Sequence, residues 1–260
     1  MTRLPLDFGC GSLKLAGTLD TAPGTTGLLI VSGGNEVRAG AFSGQSLLAS
    51  RIARAGFPVF RFDRRGIGDS EGENRGFRHA RRDIAAALEA FRAIAPQVDR
   101  VVGFGNCDAA SALMLTKGAG LDALVLSNPW TIEEDGGEKD PTPPASAIRA
   151  RYAEKLTNPR EVARLLRGGV DLGKLGRGLI KSLAPAPAPS SLAEEMRAGL
   201  ADYDGPVHIL LATADRTAQV FEESWGPDSR IARCEGAGHA YDRAEHREWL
   251  DAQILAALRA

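Results

Sequence analysis

Strand-like and helix-like segments alternate along most of this chain, and that order constrains its fold more than any other feature. Short apolar runs typical of buried strands are separated by helix-length stretches with apolar residues at helical spacing. The apolar runs are 27–31, 58–62, 100–102, 123–126 and 207–211. This order predicts a mostly parallel central sheet with helices on both faces, and such sheets bind ligands beyond the carboxyl ends of their strands. An alternating segment at 13–19 predicts a half-exposed strand at the sheet edge.

Composition limits the classes of protein to which the chain can belong. It has 260 residues, of which 43% are hydrophobic and 25% charged, so it can bury one full core. Its formal net charge of -1 gives no general attraction to nucleic acid or to an anionic membrane. No apolar run approaches the roughly 18 residues that a membrane span requires, and the first residues lack the apolar region of a signal peptide. The three cysteines suggest no disulfide framework and suit a reducing compartment. From the charge, the missing apolar runs and the cysteines together, we expect a cytoplasmic protein without a nucleic-acid partner or a transmembrane segment.

The strand and helix alternation stops between about Trp130 and Ala201, which predicts an inserted helical cap. We expect residues 131–201 to form this cap or lid, and residues 1–130 and 202–260 to form the core. Within it, the stretch 149–181 carries nine Lys or Arg against three acidic residues, a net charge of +6. Two interpretations stay open: a solvated helix face, or a lid that attracts an anionic or carrier-bound substrate or a membrane surface.

A cysteine lies at a turn between a short apolar strand and a helix. Gly105 and Ala109 flank Cys107 at two residues on either side, and small residues at these positions let a tight strand-to-helix turn close. The start of the helix places free N–H groups beside the sulfur, which favours a thiolate. Cys107 is therefore a candidate nucleophile, and the alternative is a buried cysteine packed as a small apolar side chain.

Two later residues complete a nucleophile, acid and histidine series in chain order. Asp215 follows the apolar strand 207–211, and His239 follows the small residues Gly236-Ala237-Gly238 after another strand-like run. A base must take the thiol proton and an acid must orient that base, so we predict a Cys107, His239 and Asp215 triad. Taken singly, Asp215 also fits a helix cap and His239 a loop residue. The other histidines, His79, His208 and His246, are interpreted as structural.

Attack on a carbonyl carbon also needs hydrogen-bond donors for the oxyanion that develops. The backbone N–H of Asp108, directly after the nucleophile, is one predicted donor. The loop 32–35 after the first apolar run supplies the second, with the Asn35 N–H preferred and the Gly34 N–H next. The alternative is a glycine turn that merely ends a strand.

Two segments match known sequence motifs, but the residues around them do not fit the structures that those motifs require. Gly68-Asp69-Ser70-Glu71-Gly72 matches G-x-S-x-G, but it follows a charged loop rather than running from a strand into a helix, so Ser70 is not expected to be the nucleophile. Gly103-Phe104-Gly105 begins like a dinucleotide fingerprint, but Asp108 stands where a third small residue is needed. No cofactor is expected, and without close-spaced ligand clusters no metal site is expected.

The whole chain resembles an α/β-hydrolase in the Gly33-Gly34 loop, the segment 63–70, the cysteine turn, Asp215 and His239. More narrowly, three segments are similar to the exosortase A system-associated hydrolase type 1 group, whose members are encoded with exopolysaccharide and protein-sorting machinery in Gram-negative bacteria. These segments are 57–63 with its Gly-Asp-Ser-Glu-Gly sequel, 106–112, and the cap stretch 148–172. The chain departs from that group at 35–37, where a proline and an aromatic residue are expected.

The residues and the resemblance together predict an α/β-hydrolase fold with an esterase-like or thioesterase-like activity. The expected reaction is hydrolysis or acyl transfer of an ester or thioester through an acyl-enzyme on Cys107. The alternative is a catalytically silent binding protein with the same fold in an envelope-polysaccharide assembly.

Overall fold

A computed structural model describes residues 2–132 and 191–260, and these residues build one mixed sheet between two layers of helices. The sheet has the spatial order β1-β2-β4-β3-β5-β6-β7-β8. The strands are β1 (Arg3–Cys10), β2 (Leu13–Asp20), β3 (Thr26–Val31), β4 (Val59–Phe62), β5 (Arg100–Asn106), β6 (Ala123–Ser127), β7 (Val207–Ala212) and β8 (Ile231–Cys234). From β4 to β8 all neighbours are parallel, which confirms the predicted mostly parallel sheet.

The first two strands form an antiparallel hairpin, and β2 continues antiparallel onto β4. The edge position predicted for the segment 13–19 is therefore wrong, because β1 pairs along the full length of β2 and takes the edge itself. Apolar residues alternate along β1, but Pro5, Asp7 and Gly9, which are depleted in strands, stand between them and weaken its strand signal.

Helices cover both faces of the sheet in the described ranges. They are α1 (Gly44–Arg54), α2 (Arg81–Ile94), α3 (Asp108–Leu115), α4 (Ser191–Ala201), α5 (Arg216–Trp225) and α6 (Ala244–Arg259). Within β3, Leu29 and Val31 join the core under α2, α3, α4 and α5, whereas Leu28 and Ile30 join the core under α1 and α6. Successive strand residues thus serve opposite cores, as expected for a strand buried on both faces.

Most of the predicted cap, residues 133–190 with the basic stretch 149–181, lies outside the described residues. The last part of the predicted cap, α4, packs on α3. Leu192 and Met196 of α4 share one buried cluster with Leu113 and Met114 of α3. No helix in the ranges 2–132 and 191–260 is long and apolar enough to cross a membrane.

The two helices are in close contact at Gly199. A Cβ atom at this position would lie 2.1 Å from the carbonyl oxygen of Met114, a backbone atom that cannot rotate away. The glycine therefore lets α4 lie directly against the end of α3, the helix that begins beside Cys107.

Gly199→Ala should lower the stability of the protein. An exposed helical Gly→Ala change normally stabilises by roughly 0.5–1 kcal/mol, whereas the clash with Met114 should reverse the sign and cost roughly 1–3 kcal/mol. Urea unfolding of Gly199→Ala and of the control Gly9→Ala, whose Cβ would meet nothing within 4 Å, measures the difference. A Gly199→Ala protein as stable as the wild type would show that α4 does not pack on α3 this closely.

Candidate active site

Cys107 occupies a strained turn between the end of β5 and the start of α3. Its backbone has φ 62° and ψ -129°, a combination that a residue with a side chain rarely adopts. Backbone hydrogen bonds hold the turn: the Cys107 N–H donates to the Ser127 carbonyl at 3.0 Å, and the Cys107 carbonyl accepts from the Ala110 N–H at 3.1 Å. The half-buried side chain is presented at the carboxyl edge of the sheet.

Small residues are required around Cys107 because the strand and the helix pack closely there. A Cβ atom at Gly105 would lie 2.7–2.9 Å from backbone atoms of Ala109 and Ala110, so β5 and α3 touch backbone to backbone. Ser111, one turn into α3, donates from Oγ to the Trp130 carbonyl at 2.7 Å and accepts from the Trp130 N–H at 2.8 Å. The turn is therefore fixed to the segment after β6 as well as to β5.

Asp215 and His239 meet at the same edge, as the order of the chain predicts. Asp215 follows β7 and caps α5, accepting from the Ala218 N–H at 3.2 Å. The same carboxylate oxygen, Oδ2, lies 3.0 Å from Nδ1 of His239, which follows β8. Asp215 is therefore a helix cap and the hydrogen-bond partner of the histidine at once.

The surroundings of His239 favour its protonated form. The Asp215 carboxylate and then the Cys107 sulfur raise the pKa of His239 from 6.5 to about 10, against the opposing effect of burial. The folded protein thus holds this proton between about pH 6.5 and about pH 10. The stability that the proton contributes is complete below this window and is lost as pH rises through it.

The predicted oxyanion donors differ in their hydrogen bonds. The Gly34 N–H donates to Oδ1 of Asp108 at 2.6 Å, so in this structure it is engaged by a carboxylate. Among the described residues, the backbone N–H groups of Asn35 and Asp108 donate to no other group. The guanidinium of Arg64 donates to the Gly34 carbonyl and lies 3.8 Å from Asp108 Oδ2. The loop after β3 is therefore tied to the residue that follows the cysteine.

Ser70 lies away from the turn, in the segment between β4 and α2. Its buried Oγ donates to the Asp63 carbonyl at 2.7 Å and accepts from the Ala16 N–H at 2.9 Å. The Asp63 carboxylate, fully buried, accepts from the backbone and side chain of Arg38 and from the Asp69 N–H. This charged segment ties the loops after β3 and β4 together and gives Ser70 a structural role.

Two asparagines that the sequence analysis missed lie against His239. Asn106, the last residue of β5, places Nδ2 3.3 Å from Nε2 of His239, and Asn128, just after β6, donates to Asn106 Oδ1 at 3.0 Å. The available signal was a polar residue at the carboxyl end of each of two neighbouring apolar strands.

A cavity of about 270 Å³ opens at the cysteine and the histidine. Its lining includes Gly34, Asn106, Cys107 and His239. Its walls are mainly apolar, with polar side chains from the loop after β3, from α1 and from α6; the wall residues include Leu47, Leu48, Phe104, Tyr241, Leu250, Glu36, Gln45, Arg51 and Arg247. An apolar wall next to a nucleophile suits the acyl part of a substrate.

A sequence model of the alpha/beta hydrolase family matches residues 28–252. No curated protein sequence matches the chain. Similar solved structures include an esterase from Pyrococcus furiosus, 13% identical with a TM-score of 0.64, covering 99% of this chain and 90% of that one. A Butyrivibrio proteoclasticus protein with bound ferulic acid is 15% identical with a TM-score of 0.59, covering 98% and 100%. An alpha-beta serine hydrolase homologue from Coxiella burnetii is 14% identical with a TM-score of 0.59, covering 99% and 98%. These comparisons confirm the predicted α/β-hydrolase fold.

Replacing Asp215 should lower the pKa of His239 more than replacing Cys107 does. Asp215→Asn removes the largest cause of the rise and should lower the pKa most, whereas Cys107→Ala removes the second cause and should leave the pKa above 6.5. Titration of the imidazole signals by NMR, with His239→Gln used for assignment, measures all three values. A wild-type pKa near 6.5, or a larger fall in Cys107→Ala than in Asp215→Asn, would contradict this electrostatic description.

Proposed function

The chain belongs to the alpha/beta hydrolase family, and we propose that it is a cysteine-dependent hydrolase or acyltransferase acting on an ester or thioester. One observation carries the proposal. Cys107 lies on a strained strand-to-helix turn while His239, held by Asp215 at 3.0 Å, faces the same cavity. This is the arrangement that nucleophilic acyl transfer needs: a nucleophile, a base and a residue that orients the base.

In the proposed first half-reaction, Nε2 of His239 takes the proton from Sγ of Cys107, and the sulfur attacks the carbonyl carbon of the substrate. Asp215 orients the ring and stabilises the imidazolium. A histidine whose pKa is raised to about 10 can hold that proton at neutral pH. The tetrahedral intermediate collapses when His239 returns the proton to the leaving alcohol or thiol, and a thioester to Cys107 results.

In the second half-reaction, water or an acceptor alcohol attacks the thioester. His239 accepts the proton of the attacking group, the Cys107 thiolate leaves, and the acid or the new ester is released. During each step the N–H groups of Asp108 and Asn35 are the proposed oxyanion donors.

The negative charge of Asp108, near the proposed oxyanion donors, is offset by a buried arginine, Arg64. The Asp108 carboxylate lies beside the Gly34 N–H and on its own would repel a developing oxyanion. Arg64, whose side chain is only 5% exposed, places its guanidinium 3.8 Å from that carboxylate and on the Gly34 carbonyl. We propose that this cation offsets the carboxylate in the transition state.

The proposed substrate has an apolar acyl group that fits the cavity beside Cys107. The basic stretch 149–181 adds the proposal that the substrate is anionic or bound to a carrier. The narrower resemblance adds a proposed link to exopolysaccharide and exosortase systems. The proposed location of the protein itself is the cytoplasm. A catalytically silent binding protein is the second candidate, favoured by the hydrogen bond from the Gly34 N–H to Asp108, which engages one of the predicted oxyanion donors.

Variants of the triad should separate the two candidates. Cys107→Ala and His239→Ala should abolish turnover of short acyl esters and thioesters, and Asp215→Asn should lower the rate by roughly 10²–10⁴ because the base loses its orienter. Steady-state kcat/KM for each variant is the measurement. Ser70→Ala, which loses only structural hydrogen bonds, is the matched control and should retain the activity of the folded protein.

Undiminished activity in Cys107→Ala would refute the proposed mechanism. Absence of turnover in the wild type across the whole panel of acyl esters and thioesters would instead favour the silent binding protein.

A further inference from the structure

Asn128 lies at the centre of a buried polar group beside the triad. Its side chain is fully buried, and its backbone has φ 44°, which is unusual for a residue other than glycine. Its Oδ1 accepts from the Ala212 N–H at 2.8 Å, and its Nδ2 donates to Asn106 Oδ1 at 3.0 Å and to the His239 carbonyl at 3.5 Å. The strained backbone is thus held by hydrogen bonds to β7, to β5 and to the histidine loop.

The direction of these hydrogen bonds is determined by one backbone group. The Ala212 N–H can only donate, so it requires the oxygen of the Asn128 amide, and the Asn128 NH₂ group must then face Asn106. That contact requires the oxygen of the Asn106 amide, so the Asn106 NH₂ group faces His239, with Nδ2 3.3 Å from Nε2 and 3.4 Å from the carbonyl oxygen of His239. A chain of three hydrogen bonds therefore fixes a donor at Nε2 of His239.

A donor at Nε2 distinguishes between the two forms of the histidine. Neutral His239 with its proton on Nδ1, which faces Asp215, has a free lone pair on Nε2 that can accept from Asn106 Nδ2 at 3.3 Å. Protonated His239 carries a hydrogen on Nε2, and two donors then face each other. Asn106 thus acts against Asp215 and Cys107, which both favour the protonated ring.

Building on the proposed acyl-transfer function, we propose that Asn106 stabilises the neutral form of His239 and that Asn128 is the positioning residue that orients Asn106. The neutral form is needed in the second half-reaction, when the sulfur of Cys107 is acylated and His239 must accept a proton from water or an alcohol. Because Nε2 has one lone pair, the attacking group displaces the Asn106 N–H from it as the proton is transferred, and the amide keeps its hydrogen bond to the His239 carbonyl at 3.4 Å. The direct contact with Nε2 makes Asn106 a catalytic residue in this proposal.

Several charged groups near His239 also act on its protonation. Asp215 on the β7–α5 turn bonds the ring at 3.0 Å, and Cys107 on the β5–α3 turn also raises the pKa of His239. Farther out, the same cavity is lined by Glu36, Arg51 and Arg247, and the Asp242 carboxylate lies near Gly238. Because variants of Asn106 and Asn128 leave all of these groups in place, a change in the titration of His239 reports on the asparagines.

The test measures the pKa of His239 by NMR in the Cys107→Ala background, where the sulfur no longer raises it. Asn106→Leu should raise the pKa by roughly 0.5–1, the value of one hydrogen bond to the neutral form. Asn106→Asp should raise it by roughly 1–3, because a carboxylate then faces Nε2. Asn128→Asp should also raise it, because the new carboxylate lies near the ring and because two acceptors cannot pair, so Asn106 must turn its oxygen toward His239.

Ser127→Ala is the matched control, since it removes a buried hydrogen bond of 3.0 Å to Tyr241 at the same strand end and should leave the pKa of His239 unchanged. An unchanged or lowered pKa in Asn106→Leu would overturn the proposal, and so would a rise of equal size in Ser127→Ala. If Asn128→Asp does not fold, the two Asn106 variants decide. Because the titration requires no turnover, its result is independent of whether the wild type forms an acyl-enzyme.

Discussion

The close contact between β5 and α3 at Gly105 is the constraint on which the site depends. Because this residue has no side chain, the end of the strand can contact the backbone of Ala109 and Ala110. The chain then passes from strand to helix through a single residue. Cys107 is that residue, and its strained backbone presents the sulfur at the sheet edge where the loops after β7 and β8 bring Asp215 and His239. Packing along the sheet thus determines where the proposed chemistry takes place.

Opposing interactions on one imidazole are the second feature of the site. Asp215 and Cys107 raise the pKa of His239, and the proposed role of Asn106 is to limit that effect by donating to the neutral ring. A base of very high pKa would hold its proton and could not activate water in the second half-reaction. The proposed function therefore needs both influences, one for forming the thiolate and one for releasing the acyl group.

The sequence predicted the sheet type, the turn at Cys107 and the order of Asp215 and His239, because apolar runs and small residues are local signals. It did not predict β1, in which the apolar residues alternate with Pro5, Asp7 and Gly9, three residue types that are depleted in strands. It also missed Asn106 and Asn128, and the engagement of the Gly34 N–H by Asp108, since these depend on hydrogen bonds between residues 22 to 133 positions apart. Such contacts follow only after the strands are placed side by side.

The proposed mechanism requires that Cys107 carries the acyl group during turnover. Intact-protein and peptide mass spectrometry of samples quenched with acid during reaction with an acyl thioester tests it directly. The account predicts an adduct with the mass of the acyl group on the peptide that contains Cys107, and no adduct in Cys107→Ala. Turnover that proceeds with the acyl group on another residue, such as Ser70, would contradict it.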